Sequence, residues 1–161
     1  MVNFFNKKKS KSGFAMVEII VAVAIIAASF IFILSVAQRS IVIARDALHQ
    51  TEASFLLEEG AEATRIVRDT AWFGISSLSA GTTYYPTFSS NTWTLSTTPN
   101  TVDGFTRTVV LSTVYRDGNA NIAVSGAQDT GTRLVTVNVS WNEAGIVLSK
   151  SIQFYIADIF S

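Results

Sequence analysis

Cysteine is absent from the 161 residues, which rules out disulfides, thiolate metal sites, cysteine nucleophiles and lipid attached through sulfur. It leaves the redox compartment open. Histidine occurs once, as His49, so a multi-histidine metal site cannot form, and its sequence neighbours supply no catalytic partner; a solvated helix position is the expectation. Proline is confined to Pro86 and Pro99, and no glycine lies between Gly13 and Gly60, so nothing in that stretch stops a helix. Charge is scarce too. Between Lys11 and Arg39 the only ionisable side chain is Glu18.

Apolar residues make up 48% of the chain, which argues against disorder, and the length suits one modest domain with one long appendage. Twelve basic and twelve acidic residues give a formal net charge of zero, but Lys7, Lys8, Lys9 and Lys11 all precede the first acid, Glu18. Without those four lysines, 8 basic residues face 12 acidic ones. Nucleic acid is therefore not an expected partner, since phosphate binding needs clustered Lys and Arg on the folded surface. The lysines read as a topology signal, with their flank held in the cytoplasm and the rest of the chain on the other side of a membrane.

Residues 1–13 have no periodic face to bury and read as a leader. From Phe14 to Ala37 the chain is apolar apart from Glu18 and two serines. As a helix at ~1.5 Å per residue this stretch is roughly 36 Å long, enough to cross a bilayer core of about 30 Å. The helix is expected to continue over residues 38–73 as an amphipathic half, with Ile41, Ala44, Leu48, Phe55, Ala63, Ile66 and Val67 as the stripe a sheet could cover. Glu62 with Arg65, and Arg65 with Asp69, fall at helical ion-pair spacings on the solvated surface. Gly60 costs about 1 kcal/mol against alanine within a helix and so signals a bend or a close contact.

Residues 74–161 are expected to form a β-rich head. Gly74–Val102 is rich in Ser, Thr, Tyr and Asn and reads as a long loop carrying short strands near Tyr84 and Trp93. Three alternating runs follow: Phe105–Tyr115, Arg133–Trp141 and Ile146–Ile156. Val135, Val137, Val139 and Trp141 share one face of the second, and Ile146, Leu148, Ile152, Phe154 and Ile156 one face of the third. The last two should pair as a hairpin across Asn142–Gly145, and the first should join across the Asp117-Gly118-Asn119 turn with a longer excursion over 120–132. Only the amphipathic helix half is long enough to cover that sheet. The fold class is α+β, a long N-terminal helix on a small C-terminal antiparallel sheet.

The segment Lys11-Ser12-Gly13-Phe14-Ala15-Met16-Val17-Glu18, running straight into the apolar stretch, resembles the type IV prepilin signal. In that family a membrane-embedded prepilin peptidase cuts after the glycine and methylates the new N-terminal residue, leaving a glutamate fifth in the mature chain. The resemblance thus implies processing between Gly13 and Phe14, N-methylation of Phe14, and a subunit-assembly role for Glu18. It further implies a pilin-like fold, filament partners of the same kind, an assembly platform, and no cofactor. The implied location is the cytoplasmic membrane, with the leader inside and the head outside, and then a surface or periplasmic filament. A carboxylate inside an apolar helix costs about 2.5–3.5 kcal/mol on insertion scales and needs a partner. The amino group created at Phe14 is one. The likeness is strongest over residues 7–37 and weaker over Phe55–Trp72. Ala15 and Met16 depart from the threonine and leucine common in major pilins. No proline interrupts the apolar helix, and no cysteines bound a C-terminal loop. These departures favour a minor pilin or pseudopilin over an abundant shaft subunit.

Two other readings compete. Ser35-Val36-Ala37 offers the small-residue spacing of a secretory cleavage site, which would release an exported protein starting at Gln38, although ~21 apolar residues before that site exceed an ordinary signal core of about 7–15. A single-pass anchored binding protein with an uncut leader is the other. Enzymatic function is not expected. Asp117, Asn119 and Asn121 begin like a calcium loop, but Ile122 stands where glycine is required and Gln128 where a bidentate glutamate belongs. Ser140 and Ser151 have no histidine near them in sequence. Trp72, Tyr84, Tyr85 and Trp93 read as core packing rather than an adhesive patch.

Overall fold

A computed structural model describes residues 12–160. Its elements run in the order α1 (Ser12–Thr70), α2 (Phe73–Ser76), β1 (Thr83–Ser89), β2 (Thr92–Ser96), β3 (Thr106–Arg116), β4 (Ile122–Ala123), β5 (Ala127–Glu143) and β6 (Ile146–Ala157). The architecture is the α+β, pilin-like one expected: one long N-terminal helix and a small antiparallel sheet. Two compact units divide the chain at Leu48 and His49. Residues 1–11 of the expected leader lie outside the described residues.

In the first unit, α1 is built from Ala, Val, Ile, Leu and Phe with no internal breaker until Gly60. Its side chains from Phe14 to Arg45 are exposed, Phe14 at 86% and Ile41 at 71%. Three serines in this unit turn their hydroxyls back onto the helix: Ser29 Oγ donates to the Ile25 carbonyl at 2.8 Å, Ser35 to Phe32 at 2.7 Å and Ser40 to Val36 at 3.0 Å. Each satisfies its own polarity inside the helix, which an apolar medium demands.

The second unit is a sheet ordered β2-β1-β3-β5-β6, with β4 paired to the end of β3 and every pairing antiparallel. β5 is its longest strand and lies between β3 and β6. The alternation read from sequence sets the faces: Val109 and Leu111 on β3, Val135, Val137, Val139 and Trp141 on β5 and Ile156 on β6 are buried on one side. Against them pack Ala53, Leu57, Ala61 and Val67 of α1 and Ile75 of α2. The opposite faces of β3, β5 and β6 carry mostly Ser, Thr, Asn and Gln between these positions.

Several expectations need correction. The helix face that meets the sheet is Ala53, Leu57, Gly60, Ala61, Thr64 and Val67. Of the expected stripe, only Ala63 and Val67 are buried, while Ile41, Ala44, Leu48, Phe55 and Ile66 are exposed. Small side chains let the helix backbone approach the sheet closely, and large apolar residues are left on other faces. Gly60 shows how close: a Cβ there would stand 2.8 Å from Val137 Cγ1 and 3.0 Å from Arg107 Cδ. Of the expected ion pairs, Glu62–Arg65 is present at 3.3 Å. Asp69 instead takes Arg68 at 2.7 Å, and Arg65 stacks over the Phe154 ring at 4.8 Å.

β5 begins at Ala127, inside the segment expected to be an excursion. Its register shifts opposite Thr113 and Val114, where Thr130, Gly131 and Thr132 have no partners on β3. Ala144 and Gly145, both at positive φ (50° and 87°), close the β5–β6 hairpin as a two-residue turn. Ile146, expected on the shared face of β6, is 64% exposed beside that turn. The short strands expected near Tyr84 and Trp93 are β1 and β2, turned at Ser90 and Asn91, again both at positive φ.

Candidate assembly site

Glu18 and Phe14 lie one helical turn apart on the same side of α1, with Val17, Val21, Ala22 and Ile25 around them. Gly13 belongs to the same opening turns, by its backbone. Every other ionisable group is excluded from residues 14–37, and the serines there are satisfied internally. Glu18 is therefore the one polar side chain of that stretch with no hydrogen bond or ion pair among the described residues. Around it Met16, Ile19, Ile20 and Val23 are all more than half exposed. So large an apolar surface is not stable in water and needs lipid or other helices to cover it. By length and composition the helix can cross a membrane. Ala22, Ala24, Ala27 and Ala28 would let another helix come near its backbone.

The charged groups of the second unit are tied into packing. Arg107 is buried on the inner face of β3, its side chain 3% exposed, and its Nη1 lies 2.8 Å from Glu59 Oε2 on α1. Its guanidinium stands over the Trp93 ring at 5.4 Å, and Nη2 donates to the Pro86 carbonyl at 3.4 Å. Lys150 of β6 donates to the Gln50 carbonyl at 3.1 Å and to Ser54 Oγ at 3.2 Å. His49 is not the solvated residue expected. Its Nδ1 is 3.3 Å from Glu143 Oε1 and its ring meets Phe105 edge-on at 6.0 Å. Trp141 Nε1 donates to the other Glu143 oxygen at 3.3 Å. Sequence reasoning missed the ties of Arg107 to Glu59, of Lys150 to Gln50 and Ser54, and of His49 to Glu143, because each joins positions more than forty residues apart. The alternation of β3, β5 and β6 was the available signal: it places Arg107, Glu143 and Lys150 on the helix-facing side.

The calcium-like cluster is a turn. Asp117 Oδ1 accepts from the backbone N–H groups of Asn119 and Asn121, both at 2.9 Å. These bonds, Asn121 first, hold its carboxyl below the usual carboxylate range. Asp129 is likewise lowered, chiefly by Arg116, whose Nε donates at 2.6 Å, then by Thr132 and the Gly131 N–H. No group of three or more His, Cys, Asp or Glu side chains able to hold a metal occurs among the described residues. Ser140 and Ser151 alternate with the buried rows and lie on the face away from His49. Trp72 and Trp93 pack against the core and Tyr84 is buried, as expected, whereas Tyr85 is only half-buried and lies outside the core cluster.

The chain matches no protein-family model, no curated protein and no solved structure.

Proposed function

We propose that the chain is a type IV pilin-like subunit, a minor pilin or pseudopilin, made as a precursor and assembled into a filament by its N-terminal helix. The reading is carried by one observation: an exposed apolar helix whose residues 14–37 hold one polar side chain without a partner among the described residues, Glu18, one turn past the Gly13–Phe14 bond. It is supported by the pilin-like pairing of that helix with a small antiparallel sheet.

The precursor inserts with its lysines inside. A prepilin peptidase cuts after Gly13 and N-methylates Phe14, which leaves a positively charged amine where a peptide bond had been. In the growing filament, the Glu18 carboxylate of an entering subunit pairs with the amine of a neighbour. In a low-dielectric setting that pair fixes the axial offset, because leaving either charge alone is costly. Packing and polar pairing drive association while lipid still covers the helices; burial of the apolar surface holds the filament once it has left the membrane. The partners are prepilin peptidase, other pilin subunits and an assembly platform. The role is structural, with no catalytic chemistry, no cofactor and no direct contact with nucleic acid.

Coexpression with a prepilin peptidase, followed by N-terminal sequencing and intact mass, tests the reading. Loss of residues 1–13 and a methylated Phe14 are expected. A chain still beginning at Met1, as an anchored binding protein would, or one starting at Gln38, as an exported protein would, overturns it.

A further inference from the structure

β6 is the last strand of its sheet and pairs only with β5 among the described residues. Alternate residues of such a strand turn their N–H and C=O groups away from the neighbour, so the outer edge of β6 presents a row of backbone donors and acceptors that no strand takes up. At the other margin β2 is five residues long, whereas β6 has twelve and is the better template. Lys150 turns inward midway along β6, as guards on sheet edges do, but its ammonium is held by the Gln50 carbonyl and Ser54 Oγ. The open stretch is residues 151–156. The core also runs out here. Val135, Val137 and Val139 of β5 are wholly buried, while Ile152 and Phe154 on the same face of β6 are only partly covered. Phe55, Glu58, Glu62 and Arg65 of α1 follow three- and four-residue spacings and, with Ile152, line a groove alongside. All of them belong to the second unit. Phe55 is 64% exposed there. Glu62 pairs with Arg65, which stands over the Phe154 ring, and Glu58 has no ion pair among the described residues. The groove is acidic, in a unit with ten acidic and six basic side chains.

We propose that residues 151–156 of β6 accept an extended segment of another protein as a further strand, one whose inward side chains are apolar and basic and enter the groove beside Phe55 and Glu58. The inference goes beyond the filament reading and does not depend on it. An added strand lies about 4.8 Å past β6, beneath the stripe that runs from Phe55 to Arg65. There an apolar side chain covers Phe55 and Ile152, and a lysine or arginine meets Glu58. Backbone pairing supplies the affinity and the groove selects the side chains. The exposed charges add little strength but penalise an acidic segment.

The test uses the full chain in neutral detergent micelles and a labelled seven-residue peptide, with threonine at odd positions and lysine, leucine and lysine at even ones. Saturable binding by fluorescence anisotropy is expected, with slowed amide hydrogen exchange confined to residues 151–156. Methylating the backbone nitrogens of either the odd or the even residues blocks one edge of the peptide without changing its charge. One of these two forms should bind at least tenfold more weakly than the other. Glu58→Lys should weaken the lysine peptide severalfold and favour a version with glutamate in place of lysine. No binding, equal binding by the two methylated forms, protection outside residues 151–156, or indifference to Glu58→Lys overturns the proposal. Concentration-dependent protection of residues 151–156 without peptide would give this edge to a second copy, and the basic foreign segment would fall.

Discussion

Replacing Gly60 by alanine sets two effects of known sign against each other. Alanine in a helix interior is favoured over glycine by about 1 kcal/mol. The added methyl, however, would lie 2.8 Å from Val137 Cγ1 and 3.0 Å from Arg107 Cδ. Neither neighbour yields easily. Val137 is β-branched and wholly buried in the middle of β5, and Arg107 is held by Glu59 and Trp93. Overpacking of a close-packed site costs about 1–3 kcal/mol, and two anchored neighbours put this one in the upper part of that range. The net expectation is a loss of about 1–2 kcal/mol, or roughly 5- to 30-fold in the folded-to-unfolded ratio. Urea unfolding of the full chain in detergent micelles, followed by tryptophan fluorescence, measures it, since Trp72, Trp93 and Trp141 all belong to the second unit. Combining Gly60→Ala with Val137→Ala opens space for the methyl, and the two changes should couple favourably by more than about 0.5 kcal/mol. A Gly60→Ala chain as stable as the parent, or more so, would refute the close approach.

Glu59→Gln should destabilise the second unit by about 3 kcal/mol in the same titration, because Arg107 is left buried without a counter-charge; the half-exposed position of Glu59 keeps the loss near the low end for such pairs. Adding Arg107→Met should recover most of that loss. Asp129 has a folded-state pKa depressed mainly by Arg116, so its contribution is present above its unfolded value near 3.8 and is lost as pH falls through the lower folded value. Asp129→Asn should therefore lower the urea midpoint at pH 7 and flatten its decline below about pH 4; an unchanged acid limb would contradict the assignment. Glu18→Ala should leave cleavage after Gly13 intact while the subunit joins filaments poorly, and normal incorporation in sheared filaments would count against the pairing of Glu18 with a neighbour's amine.

The long helix, the three main strands and their faces were legible in the sequence because each rests on a period: an unbroken apolar run in α1 and strict alternation in β3, β6 and the second half of β5. The helix face that meets the sheet was not. Reading a stripe from large apolar residues selects Phe55 and Leu48, whereas the contact is made by Ala53, Gly60, Ala61 and Thr64, whose small size is the reason for their burial. Gly60 itself was readable as a close contact or a bend, and only the Val137 distance decides between them. The first half of β5 was hidden by Thr130-Gly131-Thr132, three residues that interrupt the alternation as a bulge. At the candidate site, the isolation of Glu18 in an apolar run was plain from composition. That Ser29 and Ser35 spend their hydroxyls on the helix's own carbonyls, leaving Glu18 alone, needed the geometry.

The place of β5 in the sheet order has a consequence for how the chain is made. β3 waits for a partner that begins at Ala127, and β6 closes the core with Ile156. Ribosomal synthesis runs from the N-terminus, so the long helix is complete well before the sheet has a centre.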